Sequence, residues 1–237
     1  MQIPAPNHLA IIPDGNRRWA TQEGMNAWEG HQKGAAQFRT IARAAFRSGI
    51  SFLTLWAASE DNLRKRSKLE IGWLVKIFTG YLQDDSFFSE LCQNHTRFRV
   101  RGRGLHIVRD AALEHTIADL EQKTRLFAKR NLTILFGYDG RREMIDAIEQ
   151  LAQDRPPHIR YEDVKSRLWT HDLPAVDLVI RTGEEEHDWA HWSSGFMMWD
   201  TANAEFYFTR TFWPAFSEEE LAHVLTGYQK RRRAKGA

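Results

Sequence analysis

Asp14-Gly15-Asn16-Arg17-Arg18-Trp19 is the run whose residue types could do chemistry. Gly15 permits close backbone approach, and free N–H groups at a strand-to-helix turn suit an anion. Arg17 and Arg18 add charge and forked donors that match phosphate oxygens. Asp14 could hold a divalent cation bridging a diphosphate. The spacing alone describes equally well a solvated Asp-Gly turn before a basic helix start. His31, Arg181 and Glu205 are also candidates. Taken singly they read more simply, as a helix N-terminal residue, a structural ion pair and a salt-bridged carboxylate.

The elements around this run alternate. His8 to Pro13 is a short apolar run ending at Pro-Asp-Gly, a buried strand entering a loop. His31 to Arg47 has helical apolar spacing, with Gly49 as its stop. Further strands are expected at Ser51–Ala57, Arg97–Val100, Asn131–Phe136 and Val176–Ile180. Phe196–Trp199 and Phe206–Phe208 bracket a sixth. Helices are expected at Leu69–Leu91, with a break near Asp84-Asp85, and at Asp110–Lys129, Asp139–Ala152, Tyr161–Trp169 and Ser217–Arg231, the last capped by Ser217. This alternation implies one α/β domain over residues 1–237. Its central, mostly parallel six-stranded sheet is flanked by helices, with ligands at the carboxyl ends of the strands.

The bulk numbers exclude several classes. The chain has 237 residues, 42% apolar and 27% charged, with a formal net charge of +2. That excludes a strongly basic nucleic-acid binder. The basic end Arg231-Arg232-Arg233 and Lys235 reads as a solvated helix end that could touch an anionic membrane surface. The single cysteine, Cys92, forms no intramolecular disulfide and reads as a small packed thiol. No apolar run is long enough to span a membrane, and Met1 to Asn7 has no signal-peptide character, so a cytoplasmic protein is expected. Nine tryptophans imply broad apolar walls in a core or a ligand cavity.

Six ordered blocks are similar to one family. His8-x-x-x-Ile12-Pro13-Asp14-Gly15-Asn16-Arg17-Arg18-Trp19-Ala20 resembles the opening signature of the cis-prenyltransferases, the undecaprenyl diphosphate synthase family. Gly30-His31-x-x-Gly34, Leu53 to Asn62, Gly137-Tyr138-Asp139-Gly140-Arg141, Asp177 to Gly183, and Ala204 to Phe208 with Trp213-Pro214 follow in the family's order. The resemblance implies a six-stranded sheet, a homodimer, an apolar tunnel and Mg2+. It gives Asp14 a role in metal-assisted diphosphate departure. Gly15, Asn16, Arg17, Arg18 and Trp19 would contact the allylic diphosphate. His31, Ser59 and Asn62 would line the reaction centre, Asn62 assisting deprotonation. Arg66, or Lys65 without an inserted residue, would match a further arginine. Arg181 and Ser194 would hold isopentenyl diphosphate, and Glu205 would bring a metal ligand from the partner end of the site.

The sequence departs from that pattern. Ala27, Ala58 and Leu63 stand where the family has an arginine, an aromatic and a tryptophan. The Arg181–Trp199 segment is longer by about five residues, carries Glu184, Glu185 and Glu186, and has Trp192 in place of a second arginine. Each lost charge-assisted contact costs about 1.5–3 kcal/mol. His187 and His191 could partly replace the arginine or bind metal, although a solvated loop is the simpler reading. If Trp73 points inward, it shortens the tunnel and favours a product of about C10 to C20. The first functional reading is therefore a transferase joining an allylic diphosphate to isopentenyl diphosphate or another prenyl acceptor. The alternative is a terpene synthase acting on a single isoprenoid diphosphate. Retention of Asp14, Asn62 and Glu205 argues against a non-catalytic subunit.

Overall fold

A computed structural model describes residues 5–185 and 193–231, apart from the side chain of Ser194. Glu186, His187, His191, Trp192, Arg232, Arg233 and Lys235 lie outside the described residues. Six strands form one sheet: β1 (His8–Ile12), β2 (Phe52–Ser59), β3 (Thr96–Arg101), β4 (Arg130–Tyr138), β5 (Leu178–Arg181) and β6 (Glu205–Phe208). Their order is β3-β4-β2-β1-β5-β6, and every neighbouring pair is parallel. Parallel pairing needs crossovers, and the helices supply most of them. They are α1 (Asn16–Gln22), α2 (Ala27–Arg47), α3 (Glu60–Lys65), α4 (Lys68–Leu82), α5 (Asp85–Gln93), α6 (Gly104–Val108), α7 (Ala111–Thr124), α8 (Gly140–Asp154), α9 (Tyr161–Lys165) and α10 (Glu218–Lys230).

The strand alternation divides the core in two. Leu9, Ile11, Leu53, Leu55, Leu132, Ile134, Leu178 and Ile180 face one side, under apolar residues of α2, α4, α5, α7 and α10. Ala10, Ile12, Trp56, Leu135 and Val179 face the other, against Leu173, Val176, Phe196 and Met197. On that second face buried polar groups satisfy one another. Glu143 accepts from Tyr138 Oη and from Thr170, and Lys165 binds Asp200. Under β1, His8 is fully buried. Its Nδ1 is 2.8 Å from Pro174 O, and its Nε2 is 2.8 Å from Thr54 Oγ1. Burial lowers its pKa to about 4, so the ring is neutral.

Several expected bounds shift. Residues 16–22 form α1 and residues 60–65 form α3, two helices too short to show a periodic pattern. The break expected near Asp84-Asp85 is present: α4 ends at Leu82, and Asp84 caps α5 by accepting from Ser86 N–H. Helix α9 stops at Lys165, well before Trp169. Phe196–Trp199 is a turn and no strand. Gly195 and Met197 there have φ of 61° and 45°, which an extended strand cannot accommodate. Ser217 caps α10, accepting from Glu220 N. Helix α2 ends at Arg47, with Gly49 just beyond at φ 91°.

The sheet sets the place of the site. After β1 the chain builds outward on one side, and after β4 it crosses to place β5 and β6 on the other. The carboxyl ends of β1 and β5 therefore flank a topological switch point, where ligands of such sheets bind.

Candidate active site

The turn after β1 is fixed from three directions. Thr182 Oγ1 accepts from Asp14 N–H and donates to Asp14 O, each at 2.9 Å. Trp213 N–H donates to Asp14 O at 2.9 Å. Gly15 has φ of 100°, and a Cβ there would lie 2.4 Å from the Phe212 ring. Only glycine fits without displacing that ring. Gly30 and Gly34 let α2 meet α1: Cβ atoms there would lie 2.2 Å from Asn16 O and 2.1 Å from Asn16 Oδ1. The Gly30-x-x-x-Gly34 spacing thus positions Asn16.

This turn opens into a polar cavity of about 1030 Å³. Asp14, Gly15, Asn16, Arg17, Arg18, His31, Ser59, Asn62 and Arg66 all line it, so residues from six separate elements and turns converge. Ser59 caps α3 by accepting from Asn62 N–H at 3.0 Å, which fixes both side chains at the end of β2. Arg66 lines the cavity, 3.4 Å from Glu70, while Lys65 turns outward to Asp61 at 2.6 Å. Of the two alternatives, Arg66 is therefore the one at the site. Burial, then the Arg66 and Arg17 cations, hold His31 at a pKa of about 4. His31 is a neutral ring at physiological pH, 3.8 Å from Glu70.

Arg181 ends β5 behind this cavity, and its side chain is only 8% exposed. Its Nη2 lies 3.4 Å from Asp14 Oδ2, its Nε 2.7 Å from Glu184 Oε1, and its Nη1 donates to Ser193 Oγ. Arg18 reaches Asp14 Oδ1 at 3.3 Å and Glu185 Oε1 at 2.5 Å. Five charges therefore form one chain, Glu184–Arg181–Asp14–Arg18–Glu185. The side chain of Ser194 is not described, but Ser194 sits in the short 3-10 turn Ser193–Gly195 beside that of Ser193.

Three expected residues are placed elsewhere. Trp19 is not among the residues lining the cavity. Trp73 points outward: it is 41% exposed and stacks on Trp28 with ring centroids 6.0 Å apart. It does not close a tunnel, because α4 turns its Leu74–Ile77–Phe78–Tyr81 face inward instead. Glu205 begins β6, at the opposite end of that strand from the cavity edge, and pairs with Arg231 at 2.6 Å. Within one chain it does not meet Asp14.

Among the described residues no three His, Cys, Asp or Glu side chains gather as a cation site. Asp14, 43% exposed at the cavity, fits the single-carboxylate arrangement in which Mg2+ takes its other ligands from substrate phosphates and water. Polar atoms at the site also await partners. Asn16 Oδ1, His31 Nε2 and Trp56 Nε1 are buried without a hydrogen bond among the described residues. Such orphans in a cavity wall suit a polar ligand. Trp56 and Phe212 were not anticipated at the site. Phe212 sits under Gly15 and carries Arg18 5.3 Å above its ring. The block holding Trp56 was the only signal for either.

A second, apolar lobe of about 140 Å³ adjoins the first, sharing Pro13, Asn16, His31, Ala57 and Ala58 with it. Ala58 thus stands at the junction, whereas Leu63 is buried in the core. Phe78, Tyr81, Leu82, Phe87, Phe98 and Phe136 line the deeper part. The site therefore pairs an arginine-bearing polar pocket with an apolar one, matching the two halves of a prenyl diphosphate.

Comparison with known proteins agrees. Residues 12–236 match the family model described as "Putative undecaprenyl diphosphate synthase". The isoprenyl transferase of Fusobacterium nucleatum is 34% identical, covering 100% of this chain and 98% of that protein. The isoprenyl transferase of Helicobacter hepaticus is 36% identical, covering 100% and 99% respectively. The crystal structure of lavandulyl diphosphate synthase from Lavandula x intermedia, in complex with dimethylallyl diphosphate, superposes with a TM-score of 0.88. It is 31% identical and covers 97% of this chain and 98% of that one. The chain belongs to the undecaprenyl diphosphate synthase, or cis-prenyltransferase, family of enzymes that condense prenyl diphosphates.

Proposed function

We propose that the enzyme condenses a short allylic diphosphate, of about five carbons, with isopentenyl diphosphate or a second prenyl acceptor. The observation that carries this is the size of the apolar lobe. Its volume is about 140 Å³, and a protein cavity of about 150 Å³ holds one benzene. The lobe thus accommodates about one isoprenyl unit. The lavandulyl synthase, solved with a five-carbon allylic diphosphate, supports the same reading.

The roles follow from position. Arg17, Arg66 and the α1 backbone would bind the allylic diphosphate. Asp14 would hold Mg2+ against it, and that ion would neutralise charge on the departing diphosphate. Apolar walls would exclude water from the allylic cation. Neutral His31 and the capped pair Ser59–Asn62 would face the reacting carbons. Asn62 has its carbonyl turned to Ser59 N–H at 3.5 Å, leaving its amide for substrate. A homodimer is the arrangement in which Glu205 could serve a partner's site, and sedimentation should then return twice the chain mass. The single cysteine and the absence, among the described residues, of a helix long and apolar enough to cross a membrane support a cytoplasmic enzyme.

The test is incubation with Mg2+, dimethylallyl or geranyl diphosphate and radiolabelled isopentenyl diphosphate. Label should enter a product of about C10 to C20. A longer allylic chain made from unlabelled substrate alone would assign an irregular coupling. An unlabelled alcohol or hydrocarbon would instead support the one-substrate terpene synthase.

A further inference from the structure

The two acids that follow Gly183 are not equivalent. Glu184 and Arg181 form a pair in which neither side chain is more than 9% exposed. Glu185 is 56% exposed and its partner Arg18 33%. An exposed pair is worth little and exchanges readily with an arriving anion. A buried pair does not, because expelling one partner leaves the other charge desolvated. Diphosphate can therefore replace Glu185 on Arg18, but it cannot cheaply replace Glu184 on Arg181.

The other two nitrogens of Arg181 also face oxygens. Its Nη1 is held by Ser193 and its Nη2 faces Asp14, so each nitrogen of the guanidinium already meets an oxygen. At and behind this rim two guanidinium groups meet three carboxylates, Asp14, Glu184 and Glu185, with Arg181 and Glu184 lying behind the cavity wall. On the opposite rim Arg66 lies 3.4 Å from Glu70, and the nearby Asp61 is paired with Lys65.

Resting on the condensation reading above, we propose that Glu184 is a specificity-determining residue. By holding Arg181 in a buried ion pair, it withdraws that arginine from diphosphate binding. The acceptor diphosphate is then held weakly and the allylic diphosphate strongly. Glu184 touches no reacting atom; it acts through Arg181.

The test is calorimetric titration of wild type, Glu184→Gln and Glu184→Gly with isopentenyl diphosphate and Mg2+, in the absence of allylic substrate. The same proteins are titrated with dimethylallyl thiolodiphosphate, whose C–S bond resists ionisation. Freeing one guanidinium should tighten isopentenyl diphosphate binding by roughly tenfold or more. Binding of the allylic analogue should change by less than about twofold. In steady state the gain should appear as a lower KM for the acceptor with kcat little changed. Unchanged or weaker acceptor binding in both variants would overturn the proposal, since it would mean that Glu184 merely orients Arg181 for its ligand. Failure of wild type to bind the allylic analogue would instead overturn the functional reading itself.

Discussion

The two rims of the polar cavity carry the same residue type in opposite electrostatic states. On the α1–α3 rim, Arg17 has no carboxylate partner among the described residues, and Arg66 faces Glu70 at 3.4 Å. On the β1–β5 rim, Arg18 and Arg181 are tied to Asp14, Glu184 and Glu185. The first rim offers charge to a ligand, and the second spends its charge on its own chain. An arginine in a motif is thus most available to a diphosphate where the fold leaves it uncompensated or only loosely paired.

The strongest way to break the comparison is at Asp14, which joins both rims. Asp14→Ala should lower kcat by about 10²–10³-fold if it assists diphosphate departure, with little loss of melting temperature because the side chain is 43% exposed. Turnover assays and a thermal scan check this together. The next effect limits the pH at which the rims can be compared. His8 is neutral when folded, with its pKa lowered to about 4, whereas the unfolded chain titrates near 6.5. The unfolded state therefore gains the proton first as pH falls. Stability is full above about pH 6.5 and declines by roughly 3 kcal/mol down to about pH 4. Denaturant titrations across that range should show the slope, and a His8→Gln variant should flatten it. Smaller again is Gly34→Ala, whose Cβ would meet Asn16 Oδ1 at 2.1 Å. It should raise the KM for the allylic substrate several-fold by displacing Asn16, at a cost of about 1–3 kcal/mol in stability.

The apolar lobe supplies a contrast of its own. Phe87→Ala should lengthen the product by about one isoprenyl unit, read by chromatography of the extracted prenyl diphosphates, because Phe87 lines the lobe. Trp73→Ala should leave product length unchanged, because Trp73 lies outside the lobe.

The contrast between Phe87 and Trp73 also shows what the sequence could convey. Asp14-Gly15-Asn16, with Gly30 and Gly34, was legible because its constraints are local: a turn at φ 100° and a close helix crossing demand those residue types. The sheet was legible from apolar runs at regular spacing. The inward face of α4 was not, since periodicity shows that Trp73 and Leu74 lie on different faces but not which face meets the cavity. Helix α3 was too short for any period to register. Glu205 carries a motif position, yet strand direction sets it at the far end of β6 from Asp14. The compensation of Arg181 was hidden for a similar reason. Three acids in a row looked like a charge conflict at the site, and only the fold shows that Glu184 turns inward to the arginine while Glu185 crosses to Arg18.

The most direct measurement is titration of the dimethylallyl thiolodiphosphate analogue, with Mg2+, into Arg17→Ala and Arg18→Ala side by side. The loss of an uncompensated charge-assisted contact should weaken binding about 10–100-fold in Arg17→Ala. In Arg18→Ala the loss should be smaller, about threefold to tenfold, because the ligand must first displace the exposed Glu185 from that guanidinium. Equal losses, or a larger loss at Arg18, would contradict the division of the cavity into one rim that binds and one that compensates itself.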